Sequence, residues 1–110
     1  MEFNTRKDDK ALVFSVKGRM DATSSPEFEK EIAELITRGE KDFIIDLSEL
    51  DYISSAGLRS ILSTVKKLKA KEGKLFLAAL KGVVKEVFEI SGFSTIIPIY
   101  ESVESALSEL

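Results

Sequence analysis

The chain has 110 residues, 44% of them apolar on a broad count and 32% charged, with a formal net charge of −3 at pH 7. A chain of this length buries roughly 65% of the surface of its unfolded form, which supports one hydrophobic core and leaves no room for a second domain. Cysteine and histidine are both absent, which excludes disulfide frameworks, thiolate or imidazole metal sites, thiol nucleophiles and histidine-based triads.

In chain order, Glu2 to Arg6 reads as a short strand. It is joined by the charged turn Arg6-Lys7-Asp8-Asp9 to a longer strand over Lys10 to Lys17, KALVFSVK, which ends at Gly18. No apolar run stands behind the charges of the first seven residues, so neither a secretory leader nor a membrane anchor is predicted there and the expected location is cytoplasmic. Ser25-Pro26-Glu27 sets a capping hydroxyl before a proline, and Phe28, Ile32, Leu35 and Ile36 follow at helical spacing until Gly39. Phe43 to Leu47 is a short continuous apolar run, as in a strand flanked by parallel neighbours. A second helix starts near Ser54 or Ser55, carries Leu58, Ile61, Leu62, Val65 and Leu68 on one face, and stops at Gly73. Lys74 to Ala79 is predicted as a strand, Val83 to Ile90 as a short helix closed by Gly92, Ile96 to Tyr100 as the last strand and Ser102 to Leu110 as the last helix. The order β-β-α-β-α-β-α-β-α predicts an α/β fold in one domain spanning residues 1–110, with a mostly parallel five-stranded sheet, an N-terminal hairpin and four helices.

In such a sheet, sites sit outside the carboxyl ends of the strands, where loops feed helix N-termini. Two segments qualify: Gly18 to Ser25, and Asp46 to Leu58. The second opens its helix with Ser54-Ser55-Ala56-Gly57. Serine there caps free backbone N–H groups. Gly57 inside the first turn costs ~1 kcal/mol of helix propensity relative to alanine, more than capping requires, and its missing side chain is expected to let another molecule approach the serines. A helix N-terminus also favours negative charge, so a phosphate on Ser54 or Ser55 would be tolerated in place.

Other chemistries find little footing. No phosphate-binding G-x-x-x-x-G-K-[ST] loop and no G-x-G-x-x-G fingerprint occurs, so no nucleotide or other cofactor is expected. Asp46 and Asp51 lack the third group that acid–base or metal sites generally need. The basic stretch Lys66 to Lys71 lacks aromatic residues, which argues for a solvated helix face over nucleic-acid binding. Asp21 admits two readings, a role beside the serine site or a turn-forming aspartate ahead of Thr23-Ser24-Ser25.

The string DLSELDYISSAGLRSIL resembles the signature of the STAS domain family, the anti-sigma factor antagonists of bacteria, in which D-[LF]-S-x-[VL]-x-[YF]-[ILM]-D-S-[ST]-G-L leads into a helix. GRMD is similar to the family's G-[ED]-[LI]-D after the second strand, and KLFLAALKGVVKEVFEISGFSTIIPIYESVESAL to its C-terminal pattern. The resemblance implies a non-enzymatic switch in transcription regulation. The unmodified form would bind an anti-sigma factor that is also a serine kinase, releasing a sigma factor; phosphorylation would end the complex and a phosphoserine phosphatase would reset it. It places the phosphorylated serine on Ser55, the next motif positions on Ala56, Gly57 and Leu58, and a partner surface on Asp21 and Ser54 to Arg59. The chain departs from the pattern at Ser54, where an acidic residue is usual, and at Arg59, where small residues are common. Two alternatives stay open: a STAS subunit of a membrane lipid-transport ATPase, and a small-ligand or nucleotide-binding module using the Asp21 and Asp46 region.

Overall fold

Alternation along the early strand fixes the layering. Leu12, Phe14 and Val16 enter a large core of 20 buried residues, whereas Ala11 and Val13 enter a second core of six on the opposite side of the sheet. The same period of two sends Phe43, Ile45 and Leu47 to the large core and Ile44 to the small one, so the central strand is buried on both faces. In a computed structural model describing residues 1–110, this gives an antiparallel hairpin of β1 (Glu2–Lys7) and β2 (Leu12–Met20). To it β3 (Asp42–Ile53), β4 (Lys74–Ala78) and β5 (Ile99–Tyr100) add in parallel. The strands are neighbours in chain order, β1-β2-β3-β4-β5, so each parallel connection crosses through one helix: α1 (Ser25–Thr37), α2 (Ser55–Ala70) and α3 (Gly82–Ser91).

These three helices share one face. Phe28, Ile32 and Ile36 of α1, Ile61, Val65 and Leu68 of α2, and Val84 and Phe88 of α3 all enter the large core. Phe14 and Phe28 meet edge to face with ring centroids 5.7 Å apart, a favoured aromatic geometry. The C-terminal α4 (Val103–Leu107) alone covers the other face, through Val103 and Ala106. No helix is long and apolar enough to cross a membrane.

The α/β class, the element order and the mostly parallel five-stranded sheet are those the sequence predicts, but the ends of β2 and β3 and the start of β5 differ beyond a residue or two. β2 does not end at Gly18. That residue takes φ +108° and the ladder slips beside it, between Ser15 and Lys17 and again between Gly18 and Arg19, so the strand bulges and continues to Met20. Only glycine takes such a φ at low cost. β3 likewise runs through the polar stretch Ser48 to Ile53, pairing Glu49 with Lys17, Tyr52 with Arg19 and Ile53 with Met20. Its pairing with β4 stops at Asp46 and Ala78, so the β2–β3 ribbon outreaches β4. At the other end, Ile96 and Ile97 are not strand. A 3₁₀ turn occupies Phe93–Thr95, and only Ile99–Tyr100 joins the sheet, because Pro98 has no N–H to donate to a ladder. The last helix is also shorter than predicted, five residues held at Ser102 by a capping box with Ser105.

Candidate functional site

The long ribbon brings the ends of β2 and β3 together and launches a helix from each. Met20 ends β2 and Ile53 ends β3, side by side in the ladder. The next residue, Ser54, donates its backbone N–H to the Met20 carbonyl at 2.9 Å. The loop after β2 and the N-terminus of α2 are thereby tied together, so the structure does bring the two sequence-predicted segments to one place.

Ser54 is the N-cap of α2. Its backbone is extended (φ −96°, ψ 177°), and its hydroxyl accepts from the Gly57 N–H at 3.4 Å, the usual arrangement for a capping serine. Ser55 is the first helical residue and is exposed; Ala56 and Leu58 are half-buried and Arg59 is exposed. The first turn of α2 carries no acidic residue, so none of its own side chains offsets its unsatisfied N–H groups and positive dipole end.

Gly57 faces inward and is buried, contrary to the expectation that it leaves space for an approaching molecule. A Cβ built there would lie 2.7 Å from Ile53 Cγ1, 2.8 Å from the Met20 carbonyl oxygen and 3.1 Å from Met20 Cγ. The missing side chain makes room for the strand ends underneath. The helical phase holds the signal that reveals this, since Gly57 lies four residues before Ile61 and seven before Thr64, both buried.

Asp21 folds its own loop. Its Oδ1 accepts from the backbone N–H groups of Thr23 and Ser24 at 3.0 and 3.1 Å, while its own N–H donates to Ser24 Oγ at 2.9 Å. Ser24 Oγ in turn donates to the Arg19 carbonyl at 2.7 Å. Bonds donated to the Asp21 carboxyl hold it below the usual carboxylate range, the Ser24 N–H contributing most and the Ser24 hydroxyl and Thr23 N–H less. The cap expected from Ser25 is not made. Ser24 occupies the N-cap without a side-chain cap bond, Pro26 brings no N–H, and the buried Ser25 hydroxyl has no partner. Asp46 accepts from the Ser48 N–H at 3.0 Å and the Ser15 hydroxyl at 3.4 Å, a local structural use within β3. A shallow groove runs between the starts of α1 and α2, lined by Ser25, Pro26 and Glu29 on one side and Ala56, Arg59 and Ser60 on the other. Ser60 Oγ donates to Glu29 across it at 2.8 Å.

A pH-dependent contribution to stability follows from Asp21. A carboxyl whose folded pKa lies below its unfolded value stabilises fully above the unfolded value and loses that contribution as pH falls through the folded one. Asp21→Ala is therefore expected to melt below the unchanged protein at pH 7, with the gap closing as pH drops below 3.8. Melting curves at stepped pH check this; a gap that stays constant into acid would remove the charge from the explanation.

The model of a family described as STAS domain matches residues 2–106. A Bordetella bronchiseptica protein provisionally named an anti-sigma factor antagonist, BtrV, is 42% identical over 106 residues, covering 96% of this chain and 91% of the relative. The crystal structure of an anti-sigma factor antagonist from Mycobacterium paratuberculosis superposes with a TM-score of 0.90 at 25% identity, over 98% of this chain and 92% of that one. The Bacillus cell fate determinant SpoIIAA, in its phosphorylated form, shares the fold with a TM-score of 0.75 at 20% identity, over 98% of both chains.

Proposed function

This chain belongs to the STAS domain family, and from that premise we propose that it is an anti-sigma factor antagonist, a binding module switched at Ser55. The unmodified domain binds an anti-sigma factor with serine kinase activity and so frees a sigma factor. The partner then phosphorylates Ser55 and the complex separates, until a phosphatase removes the phosphate. The relatives named as anti-sigma factor antagonists support the first part of this reading. The observation that carries the choice of residue is the exposed position of Ser55 at the first turn of α2, beside Ser54, whose hydroxyl is used as the helix cap. In the transfer, Ser55 Oγ bonds to the γ-phosphorus of ATP held by the kinase, the bond from that phosphorus to ADP breaks, and the hydroxyl proton leaves to a base on the kinase.

The three serines near the helix start are not equivalent acceptors. The Ser54 hydroxyl accepts the Gly57 N–H, and Ser60 is 3% exposed and bonded to Glu29. Ser55 is free to enter another protein's active site. A phosphate there meets the positive end of α2, so the fold tolerates it and the switch acts at the interface, not by unfolding. The partner surface we assign comprises Ser54, Ser55, Ala56, Leu58 and Arg59 with Asp21 on the adjoining loop. Gly57 contributes by letting α2 start close against Met20 and Ile53.

Incubation with the cognate kinase and ATP is expected to give one major phosphopeptide, modified at Ser55. A map dominated by Ser54, Ser60 or any other serine would overturn the assignment. Affinity capture from the source cells separates the proposal from the transporter alternative: a kinase-like anti-sigma factor supports it, and subunits of a lipid-transport ATPase refute it.

A further inference from the structure

We propose that Arg59 is the phosphate-holding residue of this switch: once Ser55 is phosphorylated, the Arg59 guanidinium reaches back one helical turn and pairs with the phosphate. The inference rests on Ser55 being the modified serine, and it gives Arg59 a role in the modified state beside its place on the partner surface.

Spacing is the first support. Ser55 and Arg59 stand four apart on α2 and are both exposed. Residues at that spacing are neighbours on a helix surface, and an anion placed N-terminal to a cation is the favourable orientation. The second support is a charge imbalance already present before modification. The chain's two ion pairs are Lys7 with Glu40 and Lys17 with Glu49, and Arg59 belongs to neither. It is a cation near the positive end of a helix whose first turn has no acidic residue, an arrangement the dipole disfavours. An anion at Ser55 offsets both the N–H groups and the guanidinium.

The surrounding charges leave Arg59 available. Glu29, on α1 across the groove, accepts the Ser60 hydroxyl at 2.8 Å. Asp21 is engaged by the Thr23 and Ser24 N–H groups, and Arg19 lies over the Tyr52 ring at 4.2 Å. Glu27, in the first turn of α1, and the exposed Asp51, near the end of β3, are further carboxylates at this end. A guanidinium presents a planar fork that matches two phosphate oxygens, so the pair fixes the direction of the phosphate as well as part of its charge. A neighbouring cation also favours the dianion, which lowers the second phosphate pKa from its ordinary value of about 6 and keeps the switch fully charged near neutral pH.

The test installs phosphoserine at position 55 during translation, so that no kinase is needed, and follows the phosphorus resonance against pH. With Arg59 in place the phosphate is expected to titrate about half a pH unit lower than in Arg59→Gln, with Arg59→Lys between them. The difference should shrink in high salt, as for any exposed pair, and the Arg59 Nε–H resonance should move on phosphorylation. Melting of unphosphorylated Arg59→Gln establishes that the variant folds. Identical titrations with and without Arg59, or an unmoved Nε–H resonance, would overturn the pairing while leaving Ser55 as the proposed site. Kinase-driven modification of a different serine would instead overturn the choice of Ser55, whatever Arg59 does.

Discussion

Replacing Gly57 by valine is expected to destabilise the fold by about 3 kcal/mol, the upper part of the range for forcing extra carbons into a packed site. The first added carbon lies 2.8 Å from the Met20 carbonyl oxygen. That oxygen is itself fixed, because it accepts the Ser54 N–H at 2.9 Å. Relief therefore has to come from shifting α2 away from the ends of β2 and β3. Gly57→Ala sets two effects against each other. Alanine gains ~1 kcal/mol of helix propensity, but the overlap with backbone costs more, and a net loss of about 1 kcal/mol is expected. Denaturant midpoints for the two variants check both values. A Gly57→Val protein as stable as the parent yet unable to bind its partner would return Gly57 to the outer surface as a contact.

Ser55→Asp is expected to weaken binding to the cognate anti-sigma factor by at least tenfold, and true phosphorylation by a hundredfold or more. A partner closing over the exposed start of α2 must strip water from whatever charge stands there. Leaving a charge buried and unpaired costs about 3–5 kcal/mol, and each 1.4 kcal/mol is tenfold in the dissociation constant. Aspartate carries one charge on a shorter side chain, whereas phosphoserine carries about −1.5 to −2 at pH 7 and three acceptor oxygens, so the aspartate effect is the smaller. Ser55→Ala should bind as the parent does but resist release by ATP. Isothermal titration of the three forms measures this directly. Unchanged affinity for Ser55→Asp would place the docking surface elsewhere and end the proposed switch.

What the sequence showed and what it hid both follow from the range of the physical signal involved. Stripes such as Phe28-Ile32-Ile36 and the continuous run Phe43 to Leu47 declare their elements locally, and the large core confirms them. Ser54-Ser55 ahead of an apolar face likewise declares a helix start, and the cap is present. The outer half of β3 was hidden because Ser48, Glu49 and Asp51 look like loop residues. They are tolerated in a strand because the pairing with β2 continues beyond the end of β4. Gly18 is ambiguous for a related reason: a glycine after a strand marks either a stop or a bulge, and only the partner strand's register decides. The direction of Gly57 depends on contacts with Met20, 37 residues earlier in the chain, which no local pattern reports. The Asp21 loop sits between these cases, because its self-bonding turn is legible from residue type while its place next to Ser54 comes from the sheet.

The strand order has one more consequence. In open α/β sheets, small molecules lodge where the strand sequence reverses, because the helices on either side of that point leave to opposite faces and part to form a crevice. Here the strands follow chain order from β1 to β5 and the three crossover helices pack into one core, so the parting never arises. Above the ends of β2 and β3 the rim is formed by the starts of α1 and α2, with a shallow groove between them. Its information content therefore resides in contour and charge, and a single added phosphoryl group rewrites both without any cavity having to open or close.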